Sequence, residues 1–257
     1  MSDAEKMPLT QHLEELRSRL LYSILAVGVC FIICYIFKEP LFAILMQPWI
    51  DSMPPGVSVK LIYTAPHEAF FTYMKVSLIG GTIMAIPVIL WQIWKFIAPG
   101  LYQNEKRYML PVIFFTSFCF VGGALFGYFV VFPAGFKFFA SFASDYITPM
   151  VTTREYLTFT NRILLGFGFV FELPVFAFFL AKLGIIDAQF LKRKRKLATV
   201  LAFVVAAVLS PSPDVMSQFL MAAPLLVLYE VSIWVVYFFG AKPFKADDSD
   251  EQENTAA

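Results

Sequence analysis

YMLPVIFFTSFCFVGGALFGYFVVF, residues 108–132, runs for 25 positions without a charged side chain. As a helix rising 1.5 Å per residue it is about 37 Å long, more than the roughly 30 Å hydrocarbon core of a bilayer. A helix on the surface of a soluble protein keeps a polar stripe, and this stretch has none. Five more apolar stretches accompany it, at about 20–37, 68–97, 157–183, 197–210 and 216–238. The 257-residue chain is 59% hydrophobic and only 15% charged, with mean hydropathy +0.70. A soluble domain carries about 25% charged residues. The pattern predicts an all-α integral membrane protein: six tilted or kinked helices in a concave bundle, with short fifth and sixth spans. Residues 1–240 form one membrane domain and 241–257 an acidic, disordered tail.

The spans differ in length. The second to fourth exceed the bilayer and must tilt, bend or project. The fifth, LATVLAFVVAAVLS at 197–210, reaches only about 21 Å before Ser210-Pro211-Ser212-Pro213-Asp214 ends any helix. It either crosses a locally thinned bilayer or turns back as a re-entrant hairpin. The acids at Asp3, Glu5, Glu14 and Glu15 argue against a cleavable signal peptide, so the first span stays in the mature chain.

Charge sets the direction. Of the 20 lysines and arginines, Lys38, Lys60, Lys137 and Arg154 fall in the outer links and Lys75 and Arg162 within spans, and the other 14 lie on the side of the N-terminus. Basic residues stay cytoplasmic, so both termini face the cytoplasm. The run Lys192 to Lys196 anchors the foot of the fifth span and needs no nucleic acid to explain it. The outer links, 38–67 and 133–156, are long and hold Pro40, Pro48, Pro54, Pro55, Pro66, Pro133 and Pro149. Links of that length carry short helices or a structured cap.

Polar residues at depth need a reason. Glu172 sits mid-span in Phe171-Glu172-Leu173-Pro174. It is either a carboxyl packed between helices or a contact for a partner helix, a substrate or a proton. Pro174 bends the fourth span there, and Pro87 and Pro224 bend the second and sixth. Lys75 and Arg162 snorkel outward or pair with an acid. Glu230 lies about mid-span in the sixth helix with no partner evident in the sequence. Leu9, Leu13, Leu16 and Leu20 repeat at helical spacing, with His12, Glu15 and Arg19 on other faces, which fits an interfacial helix leading into the first span. Gly123 and Gly127 form a GxxxG, a weak signal of close helix approach. Cys30, Cys34 and Cys119 lie in spans and read as small apolar residues. No metal-ligand cluster, HExxH, phosphate loop or Ser/His pair at one depth occurs, so neither a cofactor nor an enzyme is expected.

Four motifs, in order along the chain, resemble the TatC family, the multi-spanning core of the twin-arginine protein translocase. They are His12-Leu13-Glu14-Glu15-Leu16-Arg17, Phe96-Ile97-Ala98-Pro99-Gly100-Leu101-Tyr102 with Glu105-Lys106-Arg107, Phe171-Glu172-Leu173-Pro174-Val175, and Ser210-Pro211-Ser212-Pro213-Asp214. The resemblance implies a receptor in the bacterial inner membrane for signal peptides bearing paired arginines, on proteins exported folded by the proton-motive force. It places Glu15 and Glu105 on the signal's arginines, with Leu16, Arg17, Phe96, Pro99, Leu101 and Tyr102 around them. It assigns Glu172 and Glu230 to docking of the single-span partners TatA and TatB, and Pro48, Pro87, Pro174 and Asp214 to structure. Self-association and lipid contact are implied as well. The competing reading is a secondary transporter relaying protons from Glu172 through Lys75 or Arg162, although the chain lacks the internal repeat such folds show.

Overall fold

The computed structural model describes residues 9–53, 60–97, 109–142, 146, 150–210 and 214–239. Ten α-helices occur among them: α1 Leu9–Ile36, α2 Lys38–Asp51, α3 Glu68–Ile97, α4 Met109–Phe126, α5 Phe132–Ala140, α6 Thr153–Phe171, α7 Leu173–Lys182, α8 Ala188–Arg193, α9 Arg195–Leu209 and α10 Val215–Phe239. Five stretches are long and apolar enough to cross a membrane: Gln11–Ile36, Glu68–Phe96, Pro111–Ala140, Thr153–Lys182 and Val215–Phe239. The 15-residue α9 is shorter than these, about 22 Å.

Helix boundaries depart from the sequence expectation at two places and agree with it at a third. The expected interfacial helix and the first span are one element: α1 begins at Leu9 and continues unbroken past residue 20, because no proline or glycine interrupts the amphipathic turns. Its apolar stripe is turned outward, with Leu13, Leu16 and Leu20 exposed. Pro133 does not end the third span. A π-helical turn, Gly127–Val131, joins α4 to α5, and the Phe132 N–H reaches back five residues to the Gly127 carbonyl. That wider turn lets the helix run past a proline that cannot donate. The fourth span breaks where Pro174 predicts: α6 ends and α7 starts at Glu172, whose N–H bonds the Phe169 carbonyl at 3.1 Å.

Helices α1 and α3 pack antiparallel. A Cβ on Gly81 would lie 2.7 Å from the Phe31 backbone nitrogen, so the helices meet backbone to backbone there. In α4 the polar residues are Thr116 and Ser117, and both hydroxyls donate to the Ile113 carbonyl, at 3.0 and 2.8 Å. Such bonds keep hydroxyls satisfied where no water reaches.

The core thickens toward the end of the bundle that holds α2. Trp49, Phe132, Phe136, Tyr156 and Phe159 form one buried aromatic cluster, with Trp49 edge-on to Phe136 at 5.0 Å. Pro48 lies inside α2 and lacks the N–H that would bond the Ile44 carbonyl. The Tyr128 hydroxyl, carried by the π turn, donates to that carbonyl at 2.7 Å, and Tyr156 donates to the next one, Leu45. The outer links are tied together by a parallel bridge between Ile62 and Thr152. Tyr128→Phe will remove the donor and lower stability by about 1 kcal/mol. A thermal melt in detergent measures this, and an unshifted melt would show that the hydroxyl contributes nothing.

Candidate functional site

Polar side chains gather at three levels of the bundle. The first is the α1/α3 seam at the end away from α2. His12, Glu15 and Arg19 follow one another at three- and four-residue steps, which puts them on the α1 face turned toward α3. His12 stacks on Phe96 with ring centroids 4.4 Å apart. Glu15 Oε1 accepts from Arg19 Nη2 at 3.0 Å, and Arg19 Nη1 reaches Gln92 Oε1 at 3.5 Å. The two side chains of the ion pair are only 20% and 27% exposed, so the pair is partly desolvated. Leu16 and Arg17 point away from the seam and are exposed. Pro99, Leu101, Tyr102 and Glu105 lie outside the described residues, as does the tail at 241–257. Arg19 and Gln92 were not picked out as site residues beforehand. The i,i+4 spacing to Glu15 signals the first, and nothing local signals the second.

The second level is the break between α6 and α7. Glu172 is buried, 7% exposed, and neither carboxylate oxygen has a hydrogen-bond partner among the described residues. It makes no ion pair with Lys75 or Arg162. Beside it, Phe169 and Leu173 line an apolar cavity of about 540 Å³ that α9 closes with Leu201, Val205 and Leu209.

The third level is the α9/α10 hairpin. At its α2-side end, Asp214 caps α10: Oδ1 accepts from the Ser217 N–H at 2.7 Å, and Ser217 Oγ lies 2.8 Å from Ser210 Oγ. At its other end Glu230 has the partner that the sequence did not identify, Arg195 Nη2 at 2.6 Å. The two side chains of the pair are about half exposed. Glu230 stands level with the first turn of the short α9, and α10 continues for nine more residues to Phe239. Pro87 is accommodated inside a continuous α3.

No group of three or more His, Cys, Asp or Glu able to hold a metal occurs among the described residues. The arrangement offers a partly desolvated carboxylate at one end and, between α6 and α7, a buried carboxylate without a hydrogen-bond partner among the described residues.

A family model for the Sec-independent protein translocase protein (TatC) matches residues 11–224. The Sec-independent protein translocase protein TatC of Desulforapulum autotrophicum is 51% identical over 251 residues, covering 98% of this chain and 90% of that one. That of Magnetococcus marinus is 45% identical over 236 residues, covering 92% and 84%. A crystal structure of the twin arginine translocase receptor TatC superposes with TM-score 0.77 at 41% identity, covering 87% of this chain and 97% of that one. A second, in DDM, superposes at 0.78 with 40% identity, covering 88% and 99%. With the polytopic helical fold, the family model and these relatives in agreement, this chain belongs to the TatC family, the multi-spanning core subunit of the twin-arginine protein translocase.

Proposed function

We propose that this subunit receives signal peptides bearing paired arginines at the α1/α3 seam, and that Glu15, with Glu105 from the adjoining link, takes the guanidinium groups. The observation that carries the reading is the Glu15–Arg19 pair at 3.0 Å, a carboxylate already holding a guanidinium in a partly desolvated seam. An incoming arginine can share or displace Arg19 through the same fork geometry, and Arg19 can fall back on Gln92. Lysine lacks that fork. One exposed pair is worth only about 0.2–1 kcal/mol, so affinity comes from several contacts acting together. Phe96, stacked on His12, provides apolar surface beside the charge, and Leu16 stands exposed on the next face of α1, where a peptide lying over the seam would pass.

The same reading has six spans, α9 being the fifth in a thinned part of the bilayer, both termini in the cytoplasm, and residues 1–240 as one domain of a bacterial inner-membrane protein. The distribution of lysine and arginine supports that orientation. TatA- and TatB-type single-span partners dock along α6/α7 and α9/α10, where Glu172 and the neighbouring apolar cavity lie. Glu230 takes part with its Arg195 ion pair intact. Energy for transport comes from the proton-motive force through the assembled complex.

A photo-reactive probe at Leu16 will capture a paired-arginine signal peptide, and changing both arginines to lysine will cut capture by tenfold or more, about 1.4 kcal/mol. Equal capture of the two peptides overturns the assignment.

A further inference from the structure

Lys75, Arg154 and Arg162 make no ion pair among the described residues, although each lies on a helix long enough to cross the bilayer or continuing into one. Three adjoining cavities open around them. Arg154 and Arg162 share one of about 530 Å³ under the aromatic cluster. Lys75 and Arg154 share a second of about 300 Å³. Lys75 and Arg162 share a third of about 400 Å³. The acids nearby sit only at the outer two: Glu155 lines the first, and Glu68 lines the second, with its carboxylate accepting from the Thr64 N–H and hydroxyl at 2.9 and 3.2 Å. The third holds two cations and no acid. It also presents Asn161, an amide without a hydrogen-bond partner among the described residues, over an apolar floor of Leu78, Ile79, Leu157 and Leu165.

Depth decides what fills it. Lys75 lies seven residues into α3 and Arg162 nine residues into α6, roughly 10 and 13 Å from the α2 end of those helices. Arg162 also donates to the Ser210 carbonyl at 3.4 Å, which puts it level with the end of the short α9. Cations at such a depth need an anion. An inorganic ion would satisfy the charge and leave the apolar floor bare, whereas a phospholipid supplies a phosphate for Lys75, Arg162 and Asn161 and acyl chains for the leucines. A zwitterionic headgroup brings its own cation into a place that already has two.

We propose that the Lys75–Arg162 cavity binds the phosphate of an anionic phospholipid from the leaflet at the α2 end, with Arg154 at its entrance. Binding holds that leaflet at the level of the short hairpin α9/α10. The site stands apart from the α1/α3 seam and does not depend on the signal-receptor reading.

The test is native mass spectrometry of the full chain from detergent carrying phosphatidylglycerol or phosphatidylcholine of equal chain length. Phosphatidylglycerol will stay bound roughly tenfold better, and Lys75→Gln with Arg162→Gln will abolish the preference. The charge-keeping pair Lys75→Arg with Arg162→Lys will retain most of it. Should the double glutamine variant fold poorly, Lys75→Gln alone serves, since Lys75 makes no hydrogen bond or ion pair among the described residues, and it will weaken binding severalfold. Equal retention of the two lipids, or an unchanged preference in the glutamine variants, overturns the proposal. So does displacement of the lipid by millimolar inorganic phosphate, which would make this a site for a free anion.

Discussion

Gly123→Leu will leave almost no folded protein, while Gly122→Leu, one residue away, will fold and melt like the parent. A Cβ on Gly123 would collide with the Phe167 carbonyl oxygen and lie 2.8 Å from Cβ and Cγ of Phe171. One turn on, a Cβ on Gly127 would come within 2.9 Å of Ile163 Cγ2. The obstacle at Gly123 is helix backbone, which cannot rotate aside as a side chain can. Overpacking a core costs about 1–3 kcal/mol when side chains can adjust, and more where they cannot. Forcing α4 from α6 would also open the buried cluster around Ala124, Ile163, Phe167 and Val170. A Cβ on Gly122 meets nothing within 4 Å, which makes it the matched control. Yield and monodispersity in size-exclusion chromatography, with melts in detergent, give the readout. If both variants behave alike, the helices do not approach this closely.

Glu172→Leu will move stability and function in opposite directions. Both carboxylate oxygens are buried without a hydrogen-bond partner among the described residues, an arrangement that costs about 1–3 kcal/mol per unsatisfied group. An apolar side chain of similar volume removes that cost, so the variant will melt at a higher temperature. If the carboxylate is kept to meet a polar group on a partner helix, the same change will abolish co-purification of that partner. Export of twin-arginine precursors will fall at least tenfold, while capture of the signal peptide at Leu16 stays at the parent level. A lower melting temperature would mean that Glu172 already has a partner within the chain. Normal export would end the docking assignment.

Span positions were the most legible part of the sequence. The second span, expected at 68–97, falls on α3, Glu68–Ile97, and the last, expected at 216–238, on α10, Val215–Phe239, both helices long and apolar enough to cross a membrane. Both are apolar runs bounded by charge or proline, which need lipid along their length and water at their ends. Boundaries failed where one local rule met another. Pro133 reads as a terminator until a π turn widens the helix around it, and the interfacial turns expected to lead into the first span are the start of one continuous helix. Within the seam, Glu15 and Arg19 are legible as an i,i+4 pair. Gln92 is 73 residues from Arg19 and becomes its neighbour only through helix packing.

The sequence by itself determined the class of solvent, the positions of the long apolar helices, the helix break beside Glu172 and the motifs that tie the chain to its family. These follow from local quantities: hydropathy over one helix length, proline chemistry and residue spacing. Tertiary structure alone decided which charges have partners. Glu230 found Arg195, Glu172 found none among the described residues, and the carbonyl left free by Pro48 found Tyr128. It also decided which of three neighbouring glycines bears the contact between α4 and α6. The reason is physical: helices in lipid gain little from burying apolar surface against one another, so packing is set by close backbone contact and polar pairing across the chain. The 25 uncharged residues at 108–132 require a membrane helix, but nothing in them says which face meets α6.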